Sequence, residues 1–317
     1  MIAATTTTVY QAFGLRIATR IPMPELYRLD AGSAEGCDVE IRFMASGELE
    51  RHDAPDLRNE NFIRRADEFW FYIPETAVYR IRGGRHIAVS PVPGADMVKV
   101  RVYLLGTCMG VLLLQRGTLP LHGSAVVIDG QAHAVVGNSG AGKSTLAAAL
   151  IREGCRLLTD DVIPVAISPQ GRPYVHPAYP QQKLWRQSLD QFGMEPSRYR
   201  PVYREVSKFA VPVTASFCEQ SVPLAGIWEL VPSQDDANIR VQPVRSLDRL
   251  KVVLLHTYRH TLVHRMDLAQ WHFTVASGVA GSSAVRRLFR PASGFTAAEL
   301  ARRIIDTARK GERGEEE

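Results

Sequence analysis

The sequence predicts a mixed α/β protein, with a β-rich region over residues 1–95 ahead of a strand–loop–helix core on a mixed sheet over 96–310. Three observations predict it. Short runs of β-branched and aromatic residues recur through the first hundred positions. Two apolar runs, 121–128 and 132–136, flank Asp129-Gly130, a two-residue hairpin signal. A glycine-rich loop and an apolar-faced helical segment follow at once.

The elements follow in order. Runs at 9–17, 37–43 and 69–73 read as strands, and 78–82 with 86–89 reads as a hairpin across Gly83-Gly84. From about 96 to 115 the pattern turns helical. Its apolar part, 102–114, falls short of the ~20 residues that span a bilayer and reads as a buried core helix. The segment 143–153 reads as a helix with Leu146, Ala149 and Leu150 on one face and Gly154 as its stop. Strands are expected at 206–213 and 224–231, and helices at 246–258, 283–290 and 296–309. The charged tail 311–317 is expected to be disordered.

Composition narrows the functional classes. The chain has 317 residues, 45% hydrophobic and 22% charged, which is ordinary for a globular protein of up to two domains. A net charge of +5 suits an anionic ligand. No block interleaves Lys and Arg with aromatics, so no nucleic-acid partner is expected. Cys37, Cys108, Cys155 and Cys218 lie far apart and read as buried single thiols in a reducing compartment. The first residues lack the pattern of a secretory leader, so we expect a cytoplasmic protein with no membrane partner. Self-association is left open.

The decisive motif is Gly137-Asn138-Ser139-Gly140-Ala141-Gly142-Lys143-Ser144-Thr145, a full G-x-x-x-x-G-K-[ST] match between a buried-type strand and a helix. Glycines let successive N–H groups point at phosphate oxygens, and the helix N-terminus adds its positive end. Lys143 is expected to reach the β- and γ-phosphates of ATP, and the Ser144 hydroxyl to ligate Mg²⁺. Asp160 and Asp161 follow a short strand at 156–158 that should return beside the P-loop strand. This places a carboxylate pair at a strand end facing the phosphates, one for Mg²⁺ and one to accept a hydroxyl proton. We assign Asp160 to the metal and Asp161 to the proton, although adjacent carboxylates near a cation titrate as a coupled pair. His122-Gly123 precedes the hairpin, and a lone histidine there is structural or exposed by default.

His-Gly, then the P-loop, a helix and Arg-Leu-Leu-Thr-Asp-Asp over 118–165 resemble the catalytic core of bacterial HPr kinase/phosphorylase, itself related to phosphoenolpyruvate carboxykinase. The resemblance implies catalytic roles for His122, Lys143, Asp160 and Asp161, and Mg²⁺ at Ser144. The chain departs from that family at 177–185, where the downstream E-I-R-G signature would fall and no glutamate stands. A second resemblance spans nearly the whole chain, to the stand-alone HPr-kinase-like proteins of lasso-peptide clusters. It rests on Tyr10 to Leu15, Ile21-Pro22-Met23-Pro24-Glu25-Leu26, Lys183-Leu184-Trp185 and Lys208. It implies an ATP-dependent kinase acting on the C-terminal serine of a precursor peptide. The rival readings are a kinase for an HPr-like protein and a P-loop ATPase that regulates or binds. No N-K-x-D guanine motif is present.

Weaker candidates remain. Arg204, Lys208 and Arg259 are the cations expected to clamp a substrate phosphate or carboxylate. His256, His260 and His264 recur every four residues, and we read them as a polar helix face and not as a zinc site. Arg286, Arg287, Arg302 and Arg303 read as solvated helix faces.

Overall fold

The structure is a computed structural model that describes residues 6–29, 35–45, 47–49, 62–203, 207–233 and 238–313. By packing, the described chain divides into two compact units. One holds the residues up to Thr118 together with Val202 and Tyr203, and the other holds the rest. The segment 96–118 therefore lies in the first unit, whereas the sequence reading placed it in the second.

Among the described residues of the first unit, eight strands form one sheet: β1 Thr8–Ala12, β2 Leu15–Thr19, β3 Tyr27–Arg28, β4 Val39–Phe43, β5 Phe62–Arg65, β6 Glu68–Ile73, β7 Ala77–Arg82 and β8 His86–Pro91. The run 9–17, read as one strand, is a hairpin. Phe13 and Gly14 both take positive φ, 57° and 72°, and the chain folds back so that Ala12 faces Leu15. Phenylalanine is a poor hairpin-turn residue, so Gly14 alone signals the turn. Helix α1, Met97–Gln115, matches the helical pattern read over about 96 to 115. By length and composition it passes the test for a membrane span. Yet Leu104 to Leu114 are buried within the protein, and Tyr79 Oη donates to the Val100 carbonyl at 3.2 Å. It is a core helix with a π turn at Leu104–Cys108.

The second unit has a mixed sheet built from β9 Leu119–Ile128, β10 Gln131–Val136, β11 Arg156–Ile167, β12 Pro173–Val175, β16 Val222–Ser233, β17 Arg240–Pro243 and β18 Ala284–Pro291. The hairpin between β9 and β10 forms around Asp129-Gly130 as read, with Ile128 facing Gln131. β10 also runs parallel to β16, and β16 parallel to β18. β13 Gln181–Trp185, β14 Arg200–Pro201 and β15 Lys208–Pro212 make a small separate sheet.

Both faces of β9 and β10 are buried, which is why their sequences are continuously apolar. Ala125, Val127, Ala132 and Ala134 pack with Val252 and Val253 of α4, Leu247–Leu255, and with Val279 of α6, Ala269–Ser282. Val126, Ile128 and Val135 pack on the other face with Leu146 and Leu150 of α2, Lys143–Arg152, and with Leu300 and Ile304 of α7, Ala297–Arg313. Two short helices, α3 Arg186–Gln191 and α5 Thr261–Arg265, complete the unit. All four cysteines are buried free thiols, as expected.

Three readings change here. The expected helix over 283–290 is strand β18, paired to β16 on one side and β17 on the other. Its Ala-Val-Arg-Arg-Leu composition favours a helix locally, and two-sided pairing overrides that preference. Helix α6 was not read at all. Residues 311–313 of the tail continue α7, while 314–317 and the first five residues of the chain lie outside the described residues.

His133 on β10 is buried opposite Gly226, where a Cβ would come within 2.9 Å of its Nδ1. Trp228 Nε1 donates to that Nδ1 at 3.3 Å, so the ring is the neutral Nε2–H form. Burial, then the nearby Arg286 guanidinium, lowers its pKa to about 4. Between about 6.5 and 4 the unfolded chain therefore holds more protons on this residue than the native one, and stability falls as pH falls through that window. The full effect is about 3 kcal/mol. Replacing His133 by Leu should narrow the difference between the melting temperatures at pH 7 and pH 4.5; an unchanged difference would show that His133 titrates normally.

Candidate active site

β10 ends at Val136 and the chain turns at Gly137, whose φ is 150°. A Cβ there would lie 2.7 Å from the Leu230 carbonyl oxygen, so the loop runs against β16 only because this residue is glycine. Gly142 caps α2 in the left-handed region. Arg290 Nε donates to the Ala141 carbonyl at 3.0 Å and fixes the loop from β18. Lys143 is buried, and its ammonium donates to the carbonyls of Gly137 and Asn138 at 2.9 and 3.1 Å. Thr145 Oγ1 lies 2.8 Å from Ser188 Oγ on α3.

The loop forms one wall of a cavity of about 480 Å³. Ser139, Gly140, Gly142, Lys143, Ser144 and Thr145 line it, and Gly137, Asn138 and Ala141 do not. Four cations reach the lining, Lys143, Lys183, Lys208 and Arg290, against a single carboxylate, Asp161. So uneven a wall concentrates potential for a polyanion. Phe295 and Trp185, both partly exposed, add aromatic surface.

The aspartates sit inside β11 and not at a strand end. β11 pairs with β9, one strand removed from the P-loop strand, with Asp160 opposite Ser124 and Asp161 opposite Gly123. Asp160 is 3% exposed, and both its oxygens are engaged: Ser124 Oγ donates at 2.6 Å and the Lys183 backbone N–H at 2.8 Å. Asp161 takes φ 84°, a strained value for a residue with a Cβ, and lines the cavity. The structure thus differs from the assignment of Asp160 to the metal. Its oxygens face protein donors, and Asp161 is the carboxylate at the cavity.

Lys183 Nζ meets Asp161 Oδ2 at 2.8 Å. Burial alone would raise the Asp161 pKa; the Lys183 ammonium, then His122 and Lys208, more than offset it and hold the carboxyl well below the usual range. His122 Nδ1 lies 3.0 Å from the Asp161 carbonyl oxygen, which can only accept, so Nδ1 carries the proton in that bond. Burial lowers the His122 pKa, against the pull of Asp161, and the ring is neutral at pH 7. Gly123 beside it has no room for a side chain, since a Cβ would overlap the Val135 carbonyl oxygen.

A second cavity, about 390 Å³, shares lining residues with the first. His122, Ser139 and Asp161 line both, and the second is otherwise lined by Gly137, Asn138 and the turn from Leu255 to His260. That turn is why the helix expected to 258 stops at Leu255: the chain pairs with β9 through a bridge between Leu121 and Thr257. The His122 N–H donates to the His256 carbonyl at 2.7 Å and the Tyr258 N–H to the Pro120 carbonyl at 2.8 Å. His256 Nε2 reaches Glu229 at 3.1 Å, and Arg287 holds the other oxygen of Glu229 at 2.7 Å. His256, His260 and His264 therefore do not share one helix face; the first two stand at helix ends and His264 lies in α5.

The expected substrate cations separate. Lys208 lines the P-loop cavity with its ammonium 5.6 Å from the Trp185 ring, and Arg259 lines the second cavity. Arg204 lies outside the described residues. Arg286 and Arg287 belong to a strand, whereas Arg302 and Arg303 are exposed on α7 as read. Sequence reasoning missed Lys183, Ser124, Arg290 and Glu229 as parts of the site. Only Lys183 carried a signal, as a lone cation in an otherwise neutral run at 177–185.

Mg²⁺ takes oxygen ligands and leans on one or two protein groups plus substrate phosphates. Ser144 and Asp161 are oxygen donors that line the same cavity, and among the described residues no cluster of three or more His, Cys, Asp or Glu could hold a metal alone. The donor set fits a cation brought in with a phosphate ligand.

No family model matches the chain, and no curated protein matches it either. Among solved structures, the Hpr(Ser) kinase/phosphatase from Coxiella burnetii is similar to this chain at 15% identity, with 61% of this chain and 98% of that chain covered and a TM-score of 0.34. The reading of the site rests on the chain's own residues.

Removing the Asp160 carboxylate leaves two buried donors without an acceptor, which costs roughly 2–4 kcal/mol. Asp160→Ala should therefore lower the urea midpoint markedly. Asp160→Asn should retain much of the stability, because the Ser124 hydroxyl can turn to accept from the amide. Native stability of the alanine variant would show that Asp160 does not tie these strands.

Proposed function

We propose that this chain is a cytoplasmic ATP-dependent kinase that moves the γ-phosphoryl to a serine hydroxyl, the C-terminal serine of a lasso-type precursor peptide. The observation that carries the reading is the shared wall: Asp161 faces both the P-loop cavity and the second one. A phosphoryl donor and an acceptor need two compartments that meet at one carboxylate, whereas a nucleotide-hydrolysing switch needs only the first. The resemblance of the His-Gly, P-loop and Asp-Asp order to the HPr kinase core supports the same class.

In this reading the backbone N–H groups of the 137–145 loop and the Lys143 ammonium bind the phosphates, with Lys183, Lys208 and Arg290 adding charge around them. Mg²⁺, held by the Ser144 hydroxyl with the phosphates, would supply charge neutralisation on the transferring group. Asp161 orients the serine hydroxyl and takes its proton late. A carboxylate of low proton affinity suffices, because a loose transition state demands little prior deprotonation. His122 holds the Asp161 backbone in its strained turn.

Lys143→Ala should cut turnover by roughly 10²–10³-fold, since it removes charge that matters most in the transition state. Asp161→Asn should cut it by about 10²–10⁴-fold while ATP binding persists. Incubation with Mg·ATP and a Ser-terminated peptide, followed by mass spectrometry, reads both. ADP release with no phosphopeptide from any Ser-terminated acceptor would favour a regulatory ATPase, and phosphate only on an HPr-type carrier would favour that acceptor.

A further inference from the structure

We propose that the second cavity is an anion-reading acceptor site, in which Arg259 binds a carboxylate that the acceptor carries close to its hydroxyl. The inference rests on the kinase reading for its purpose, though not for its geometry. Three independent features point to it.

The first is position. The cavity shares only His122, Ser139 and Asp161 with the P-loop cavity, so a group placed in it meets Asp161 in a lining that holds neither Lys143 nor Lys183. The second is charge. Arg259 is the one permanent cation in the lining and Asp161 the one carboxylate, so the cavity offers one positive pole and one proton acceptor. A molecule with a carboxylate and a hydroxyl on one residue matches those two poles; a neutral hydroxyl compound matches only one. The third is rigidity. Arg259 holds φ 48°, outside the range an arginine prefers, and the residues before it are pinned. Their ties are the two backbone bonds to β9, the Glu229–His256 contact and the Thr257 Oγ1 to His272 Nε2 contact at 2.7 Å. The guanidinium of Arg259, exposed at the surface, lies 5.8 Å from the Tyr258 ring. A pre-set guanidinium fork suits a carboxylate better than a mobile ammonium does.

The test measures binding apart from phosphoryl transfer. A short peptide ending in serine is titrated into the full chain loaded with a non-hydrolysable ATP analogue and Mg²⁺, once with a free C-terminal carboxylate and once as the C-terminal amide. The free acid should bind about 10- to 100-fold more tightly than the amide, the range for a charge-assisted bond. Arg259→Asn, whose side chain tolerates the left-handed turn, should erase that preference, and Arg259→Lys should keep part of it. Melting curves confirm that both variants fold. Equal binding of acid and amide by the native chain, no binding of either, or an undiminished preference in Arg259→Asn would overturn the proposal. Binding with the expected preference but without phosphorylation would uphold this site and count against the kinase reading instead.

Discussion

The buried carboxylate of Asp160 is the fastener on which the site depends. It accepts the Ser124 hydroxyl from β9 and the Lys183 backbone N–H from β13, and so joins three strands at one point. A carboxylate at 3% exposure would cost several kcal/mol if its oxygens faced nothing. Here two hydrogen bonds offset that cost, and the same bonds decide where Lys183 stands. The next residue is turned by its positive φ so that Asp161 faces the cavity, where the ammonium of Lys183 meets it. One strand thus supplies a structural aspartate and a cavity aspartate in succession, and the strain at Asp161 is held by the anchor before it.

This arrangement explains what could and could not be read from the chain. The P-loop was legible because its signal is local: glycines, a lysine and the helix that follows are contiguous. The hairpin at Asp129-Gly130 was legible for the same reason. The two aspartates were legible as a pair, but their separate jobs were not. Those jobs follow from pairing with Ser124 and from the approach of Lys183, 22 residues on. β18 was misread because its residues favour a helix in isolation, and only its neighbours on both sides make it a strand. Arg290 and Glu229 were invisible for a related reason, since each acts through a partner far away in sequence. A single sequence encodes these contacts without displaying them.

Charge and shape are arranged to separate tasks within the second unit. Cations that surround the P-loop cavity come from four elements: α2, β13, β15 and β18. No one segment therefore shows the basic cluster that would announce a polyanion site. The net charge of +5 is a weak sign of it, and acidic residues elsewhere mask the concentration of positive groups at this wall. The turn over 255–260 lacks such a ring of cations and brings Arg259 alone to the second cavity.

The His-Gly pair shows how a motif can join a chemical and a packing requirement in neighbouring residues. Gly123 sits where β9 passes β10 so closely that a Cβ would overlap the Val135 carbonyl oxygen, so its identity follows from backbone distance alone. That close approach carries β9 past the P-loop strand at the height of the loop. His122, one residue earlier on the alternate face, is thereby set between the two cavities. Its N–H reaches the turn over 255–260 and its Nδ1 reaches the Asp161 backbone. The histidine thus links the nucleotide side of the site to the turn that carries Arg259. Its placement depends on a neighbour that has no side chain.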